Sequence, residues 1–122
     1  MIPAENFKAF VISLAGSADR RRLMAGQLDQ PGFPAWEFLD AVEGRKLGAA
    51  ELERRYDENA ARRRYGKGLS PGHLGCALSH LDAYRRLQSE GLGAALILED
   101  DALIGEHALQ VIARLLARLS AD

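Results

Sequence analysis

Short apolar runs alternate with longer helical stretches along the chain, and this order limits the fold to very few classes. The apolar runs at residues 7–14, 35–39 and 94–98 each stop at a turn or a polar group, which is typical of strands. The stretches between and after them predict a helix after Ser17 and further helices at 71–89 and about 106–119. Such alternation predicts an α/β fold with a mainly parallel sheet and flanking helices on both faces.

The helix at 71–89 carries the strongest local signals. Ser70 can cap it, and Pro71 suits its first position because the amide hydrogen that proline lacks has no helical partner there. Spacings of three and four predict a buried stripe of Leu74, Ala77, Leu78, Leu81 and Tyr84. In the other helices we expect Ser17 to act as a cap and the inward residues to be Leu23, Met24, Leu28, Leu109, Ile112, Leu115 and Leu116.

A basic segment separates the second strand from the long helix. It predicts a short helix at about 49–56 and then a mobile basic loop at about 57–69. Arg62, Arg63 and Arg64, with Lys67, could clamp an anionic donor or a lipid headgroup, although such runs are more often simply exposed.

Size and charge exclude several functional classes. A chain of 122 residues predicts a single domain, 1–122. Its 16 basic and 17 acidic residues give a net charge of -1, so we expect no nucleic-acid partner. The apolar runs are far shorter than the ~20 residues of a membrane span, and the first residues lack the order of a signal peptide. The single cysteine, Cys76, suits a reducing compartment, which predicts a cytoplasmic location.

Three acids, Glu99, Asp100 and Asp101, follow the strand at 94–98 directly. Ligands of parallel sheets bind beyond the carboxyl ends of the strands, and adjacent carboxylates are tolerated there when a cation offsets their repulsion. Hard oxygen ligands select Mg²⁺ or Mn²⁺, which commonly bridge carboxylates to nucleotide phosphates. Strand alternation would place Glu99 and Asp101 on one side and Asp100 on the other. The alternative is a solvated acidic turn or a cap of the next helix.

Four segments together resemble glycosyltransferase family 25, which includes bacterial lipooligosaccharide galactosyltransferases and collagen-modifying enzymes. The segments are Phe-Val-Ile-Ser-Leu at 10–14 with Asp-Arg-Arg at 19–21, Phe-Leu-Asp-Ala-Val-Glu-Gly at 38–44, Leu-Ser-Pro-Gly-His-Leu-Gly-Cys-Ala-Leu-Ser-His at 69–80, and Leu-Ile-Leu-Glu-Asp-Asp at 96–101. Their order and spacing fit the family over nearly the whole chain. Ser13 stands where the family usually has asparagine and His73 where it often has glutamate, and both differences concern donor contacts.

The resemblance implies half of a GT-A-like nucleotide-diphospho-sugar transferase domain. Such a domain would transfer a hexose, with galactose preferred, from a UDP-sugar donor to a saccharide acceptor in lipopolysaccharide or lipooligosaccharide biosynthesis. The resemblance implies a Mn²⁺ or Mg²⁺ cofactor on Glu99, Asp100 and Asp101, and it places Arg20 and His80 near the donor.

Family members usually continue beyond this point, so the resemblance implies that the catalytic base lies outside this chain. The alternative function is a non-catalytic fragment that acts as a self-associating interaction module. An uncovered sheet edge would favour strand pairing, so that alternative predicts a homodimer.

Other residues have both a functional and a structural interpretation. His73, Cys76 and His80 share a helix face and could bind zinc with a fourth ligand, although a packed helix with a small apolar cysteine is favoured. Trp36 could stack on a base or sugar, but core packing is expected. Arg21 and Arg22 are expected on the surface.

Overall fold

The computed structural model describes the backbone of residues 2–121 and the side chains of residues 2–119, and it contains one three-stranded parallel sheet. Short 3-10 turns occur at Ala4–Asn6 and Gly44–Lys46. The strands and helices, in chain order, are β1 Phe7–Ser13, α1 Ala18–Leu28, β2 Trp36–Asp40, α2 Ala49–Arg55, α3 Glu58–Tyr65, α4 Pro71–Ser89, β3 Ala94–Glu99 and α5 Ala108–Ala121. The predicted α/β class, parallel sheet and flanking helices are confirmed.

Strand β1 is the middle strand of the order β2-β1-β3, and its apolar residues are therefore buried on both faces. On one face Val11 packs with Met24 and Leu28 of α1. Burial of these side chains removes apolar surface from water, which stabilises the fold by about 25 cal/mol per Å² of buried apolar surface. This contact fixes α1 over the sheet and brings the first turn of α1 to the carboxyl end of β1.

The other face of the sheet is covered by α4. The guanidinium of Arg86 lies 5.8 Å from the ring centre of Phe10, and the ammonium of Lys8 lies 5.6 Å from the same ring. Leu74 and Leu78 of α4 are buried. The sheet is therefore a middle layer between α1 and α4.

Helix α4 has the predicted bounds, but the predicted stripe is wrong in part. Leu74 and Leu78 are buried as expected, while Ala77, Leu81 and Tyr84 are exposed. The buried set is instead Leu74, Gly75, Leu78, Ser79 and Ala83. The helix turns this face inward because two glycines allow close backbone contact: a Cβ on Gly75 would lie 2.5 Å from the carbonyl oxygen of Val42, and one on Gly44 would collide with the Pro71 carbonyl.

The segment predicted as a mobile basic loop, residues 57–69, is instead mostly helical, because it contains α3. Asp57 caps α3 by accepting a hydrogen bond from the Ala60 amide at 2.9 Å. Gly66 ends the helix with a positive φ of 79°. The three arginines of α3 are exposed on its surface.

The two remaining long helices differ from expectation in detail. Ser17 occupies the cap position of α1 but makes no side-chain cap bond, and Leu23 is 68% exposed rather than inward. In α5, Leu115 is exposed, whereas Leu109, Ile112 and Leu116 are half-buried as their inward placement predicts. No helix among the described residues combines the length and apolarity needed to cross a membrane.

Candidate nucleotide-sugar and metal site

The carboxyl ends of the three strands meet at one edge of the sheet and border a cavity of about 610 Å³. Register places Ser13 beside Asp40 and Ile12 beside Glu99. The cavity is lined by Ile12, Ser13, Leu14, Ser17, Arg20, Ala41, Val42, Gly72, Cys76, Ser79, Glu99, Asp100 and Asp101. The expected crevice beyond the strand ends is therefore present, and all three acids face it.

The acids lie on a turn that the rest of the chain holds in place. The Ala102 amide donates to the Glu99 carbonyl at 3.1 Å, so Asp100 and Asp101 occupy the two middle positions of a β-turn. Gln27 of α1 donates to the Ala102 carbonyl at 3.1 Å and accepts from the Ile104 amide at 2.8 Å. Helix α5 starts only at Ala108, so this turn is separate from the helix that follows.

Asp100 is the acid that the protein itself neutralises. Its carboxylate accepts a hydrogen bond from the Ser13 hydroxyl at 2.7 Å and one from the Arg20 guanidinium at 3.1 Å. The side chain of Asp100 is only 11% exposed, whereas that of Arg20 is 63% exposed. Arg20 therefore lies at the cavity, next to the acids, with most of its surface open to solvent.

Arg21 is not the surface residue that the sequence predicted. Its guanidinium donates to the Ser13 carbonyl and to the Asp40 carboxylate, both at 2.8 Å, and lies 4.8 Å from the ring centre of Phe38. Because it spans the ends of β1 and β2, Arg21 holds the rim of the cavity together. The consecutive arginines gave no signal to separate this role from that of Arg20, since the contacts depend on the sheet register.

Glu99 points to the opposite face of the sheet from Asp100, as strand alternation predicts. The Cys76 thiol donates to its carboxylate at 3.5 Å, and Nε2 of His80 lies 3.8 Å from the same oxygen. Desolvation of the sulfur, and next the neighbouring Glu99 carboxylate, raise the pKa of the Cys76 thiol. His80 is not part of the cavity wall, but it reaches Glu99, which is.

The chemistry of the acids fits a hard cation, although they do not converge as a set of three. Glu99 and Asp101 are exposed oxygen donors at the cavity, while Asp100 is occupied by Ser13 and Arg20. Mg²⁺ and Mn²⁺ need only one or two carboxylates when phosphate oxygens and water complete the shell. Within the described residues, the one trio of metal-ligand side chains that lie within 4.8 Å of one another is Cys76, His80 and Glu99.

Residues of α4 shape the cavity opposite the acids. The Ser79 hydroxyl donates to the Gly75 carbonyl at 2.7 Å and accepts from the Val42 amide at 2.8 Å. These bonds fix α4 against the segment after β2. The repeated small residues of α4 were the available signal, because small residues permit close approach. His73 belongs to neither the cavity wall nor the cluster at Glu99, and Trp36 packs edge-on against Phe38 in the core, as expected.

Similarity to known proteins identifies the family of the chain. Residues 6–122 match the sequence model described as "Glycosyltransferase family 25 (LPS biosynthesis protein)". Procollagen galactosyltransferase 1 of Danio rerio is 31% identical over 77% of this chain. The lacto-N-neotetraose biosynthesis glycosyltransferase LgtB of Neisseria gonorrhoeae is 33% identical over 84% of it. The inactive glycosyltransferase 25 family member 3 of Homo sapiens is 30% identical over 94% of it.

The chain spans only part of the length of these relatives. The matched region is 16% of the Danio rerio protein, 20% of the human protein and 35% of LgtB. The match to the family model, residues 6–122, includes the acidic turn and the helix that carries Cys76 and His80.

Proposed function

Because the chain belongs to glycosyltransferase family 25, we propose that it forms the donor-binding part of a metal-dependent hexosyltransferase with a GT-A-like fold. The donor is a UDP-sugar, with galactose as the preferred sugar, and the acceptor is a saccharide in lipopolysaccharide or lipooligosaccharide biosynthesis. The observation that carries the proposal is the cavity at the carboxyl edge of the sheet, lined by Glu99, Asp100 and Asp101. The names of the relatives, a galactosyltransferase and an oligosaccharide-synthesis enzyme, support the choice of reaction.

The charges of the site suit a nucleotide diphosphate bound with a cation. Glu99 and Asp101 would hold Mn²⁺ or Mg²⁺, which when bound supplies positive charge to the departing diphosphate. Asp100 holds Arg20 through the 3.1 Å bond, so that the guanidinium stays at the cavity. A planar guanidinium suits phosphate oxygens because it can donate two parallel hydrogen bonds. The turn is fixed by Gln27, so little ordering of these acids is needed on binding.

His80 supports the site through Glu99 rather than by lining the cavity. Its Nε2 lies 3.8 Å from the Glu99 carboxylate. The catalytic base stays unassigned among the residues of this chain. A cytoplasmic location remains a prediction from the single cysteine.

A second candidate function is a non-catalytic interaction module that self-associates. Similarity to the human relative named as inactive favours the non-catalytic part of this candidate. A stable homodimer that binds no nucleotide, detected by light scattering, would support this candidate over donor binding.

Calorimetry with UDP in the presence of Mn²⁺ tests the donor site. We expect Asp101→Ala to weaken UDP binding at least tenfold, about 1.4 kcal/mol, because an exposed metal ligand is removed while the turn keeps its backbone bonds. A matched control is Glu106→Ala, since Glu106 is an exposed acid outside the cavity. Removal of Mn²⁺ with EDTA should reduce the wild-type affinity to that of Asp101→Ala. Equal affinities in all three proteins would remove Asp101 from the site.

A further inference from the structure

A second group of metal-ligand side chains lies beside the acidic turn and differs from it in chemistry. Cys76 and His80 are four residues apart on α4 and therefore share one helix face, and Glu99 reaches them from the end of β3. The Sγ atom of Cys76 lies 3.5 Å from the Glu99 carboxylate, and Nε2 of His80 lies 3.8 Å from it. All three ligand atoms lie within 4.8 Å of one another.

The two separations from the Glu99 carboxylate are close to those between the ligands of a tetrahedral zinc site. Zinc binds sulfur at about 2.3 Å and nitrogen or oxygen at about 2.0–2.2 Å, so the ligands of one tetrahedral ion lie about 3.3–3.6 Å apart. The separations of 3.5 and 3.8 Å fall within a few tenths of an ångström of this range. We infer that Cys76, His80 and Glu99 form a site for a thiophilic divalent cation, with Zn²⁺ as the expected ion.

The ligand types separate this site from the hard-cation site of the proposed function. A thiolate and an imidazole favour zinc or cobalt over Mg²⁺ and Mn²⁺, which prefer oxygen ligands. Cys76 and Glu99 also line the cavity, so the fourth position of a bound zinc ion would open toward it. Three protein ligands and one open position leave room for a water or an oxygen ligand from the cavity.

The supporting structure holds the ligands in place. Ser79, on the turn between Cys76 and His80, is buried and bonded to the Gly75 carbonyl and the Val42 amide. The close backbone approach at Gly75 prevents α4 from sliding along the segment after β2. Zinc binding would therefore require only side-chain adjustments.

Because the zinc site and the proposed Mn²⁺ site share Glu99, zinc should affect donor binding. This expectation rests on the proposed function. If Glu99 also supports the Mn²⁺ of a bound nucleotide, zinc at Cys76 and His80 withdraws that carboxylate. Zinc should then weaken Mn²⁺-dependent UDP binding in the wild type, and Cys76→Ser should remove this inhibition.

Cobalt absorption spectroscopy of the full chain tests the site without any assay of activity. We expect one equivalent of Co²⁺ to give the intense visible bands of tetrahedral cobalt together with a thiolate-to-cobalt charge-transfer band, and we expect Zn²⁺ to abolish both. Cys76→Ser should lose the charge-transfer band. His80→Ala and Glu99→Gln should each weaken cobalt binding at least about tenfold.

His73→Ala is the matched control, because His73 lies on the same helix but outside the cluster. It should bind cobalt as the wild type does, and circular dichroism should show the same helix content in every variant. A wild-type spectrum of six-coordinate cobalt would overturn the site, as would a charge-transfer band that His80→Ala and Glu99→Gln leave unchanged. Absence of UDP binding would overturn the proposed function alone, since the cobalt result does not depend on it.

Discussion

Two clusters of charged side chains lie at different ends of the same sheet, and they differ in charge balance. The balanced cluster, near the starts of the strands, consists of Lys8, Glu37, Arg86 and Glu90. The acid-rich cluster, at the carboxyl ends of the strands, consists of Arg20, Arg21, Asp40, Glu99, Asp100 and Asp101.

In the balanced cluster each charge has an internal partner. Lys8 donates to Glu37 at 2.8 Å and to Glu90 at 3.1 Å, and Arg86 pairs with the same two acids. Contact with Glu37 first, and with Glu90 next, raises the pKa of Lys8. Two cations and two anions satisfy one another, so this cluster needs no outside ion.

In the acid-rich cluster four carboxylates face two guanidinium groups. Arg20 pairs with Asp100 and Arg21 with Asp40, which leaves Glu99 and Asp101 without an arginine in these pairs. The two unmatched acids are the ones exposed at the cavity. A charge imbalance beside a cavity, rather than the number of acids, therefore distinguishes a candidate cation site from a structural network.

The largest effect is expected from a change that displaces α4 from the acid-rich edge. Gly75→Ala would place a Cβ 2.5 Å from the Val42 carbonyl and 2.9 Å from the Gly44 amide nitrogen. These backbone atoms cannot move aside as the end of a flexible side chain can, so we expect a loss of about 3 kcal/mol in the free energy of unfolding. Thermal denaturation should show a fall of roughly 12 °C, at about 4 °C per kcal/mol.

Gly72→Ala is the matched control for this change, because nothing lies within 4 Å of a Cβ at that position of the same helix. Alanine favours helices over glycine, so this variant should equal or exceed the wild type in stability. A Gly75→Ala protein as stable as Gly72→Ala would show that close backbone contact does not hold α4 in place.

An intermediate effect is expected at Asp100, the acid of the acid-rich cluster that accepts hydrogen bonds from Ser13 and Arg20. Asp100→Ala removes the acceptor of the Ser13 hydroxyl and of Arg20, and Ser13 is buried. We expect urea denaturation to show a loss of about 1–2 kcal/mol, because a buried hydroxyl loses a charged partner. Asp101→Ala should change the free energy of unfolding by less than about 0.5 kcal/mol. Equal losses in the two variants would contradict the division between matched and unmatched acids.

The smallest effect is expected in the balanced cluster and depends on pH. Hydrogen bonding to Lys8 first, and then to Arg86, lowers the pKa of Glu90. A lowered folded-state pKa gives stability that is present above the unfolded-state pKa and is lost as the pH falls through the folded-state pKa. Glu90→Gln should therefore reduce stability at neutral pH by less than about 1 kcal/mol, and the difference from wild type should vanish in acid. A difference that grows as the pH falls would contradict this assignment.

Local signals explain which parts of the fold could be predicted from the sequence. Ser70 and Pro71 marked the start of α4, and in the structure the Ser70 hydroxyl accepts from the His73 amide at 3.2 Å. The three apolar runs predicted the strands, because the strands of a parallel sheet are covered by helices on both faces and are therefore rich in apolar residues. The acidic turn could be located because three acids follow the apolar run at 94–98 directly.

The missed features depend on contacts between distant parts of the chain. The stripe of α4 was misassigned because Gly75 and Ser79 face the segment at Val42, a packing that hydrophobic periodicity does not encode. Helix α3 was missed because its face is mainly charged, and its cap at Asp57 was not recognised. The bond between Ser13 and Asp100 joins residues 87 positions apart, so only the sheet register brings them together.

We propose that the acid-rich cluster binds a hard cation and that the balanced cluster does not. Electron paramagnetic resonance of Mn²⁺, which separates free from bound ion, tests it with two acid-to-amide variants, Asp101→Asn and Glu37→Gln. We expect at least tenfold weaker Mn²⁺ binding in Asp101→Asn and wild-type binding in Glu37→Gln. The same Mn²⁺ affinity in both variants and the wild type would contradict it.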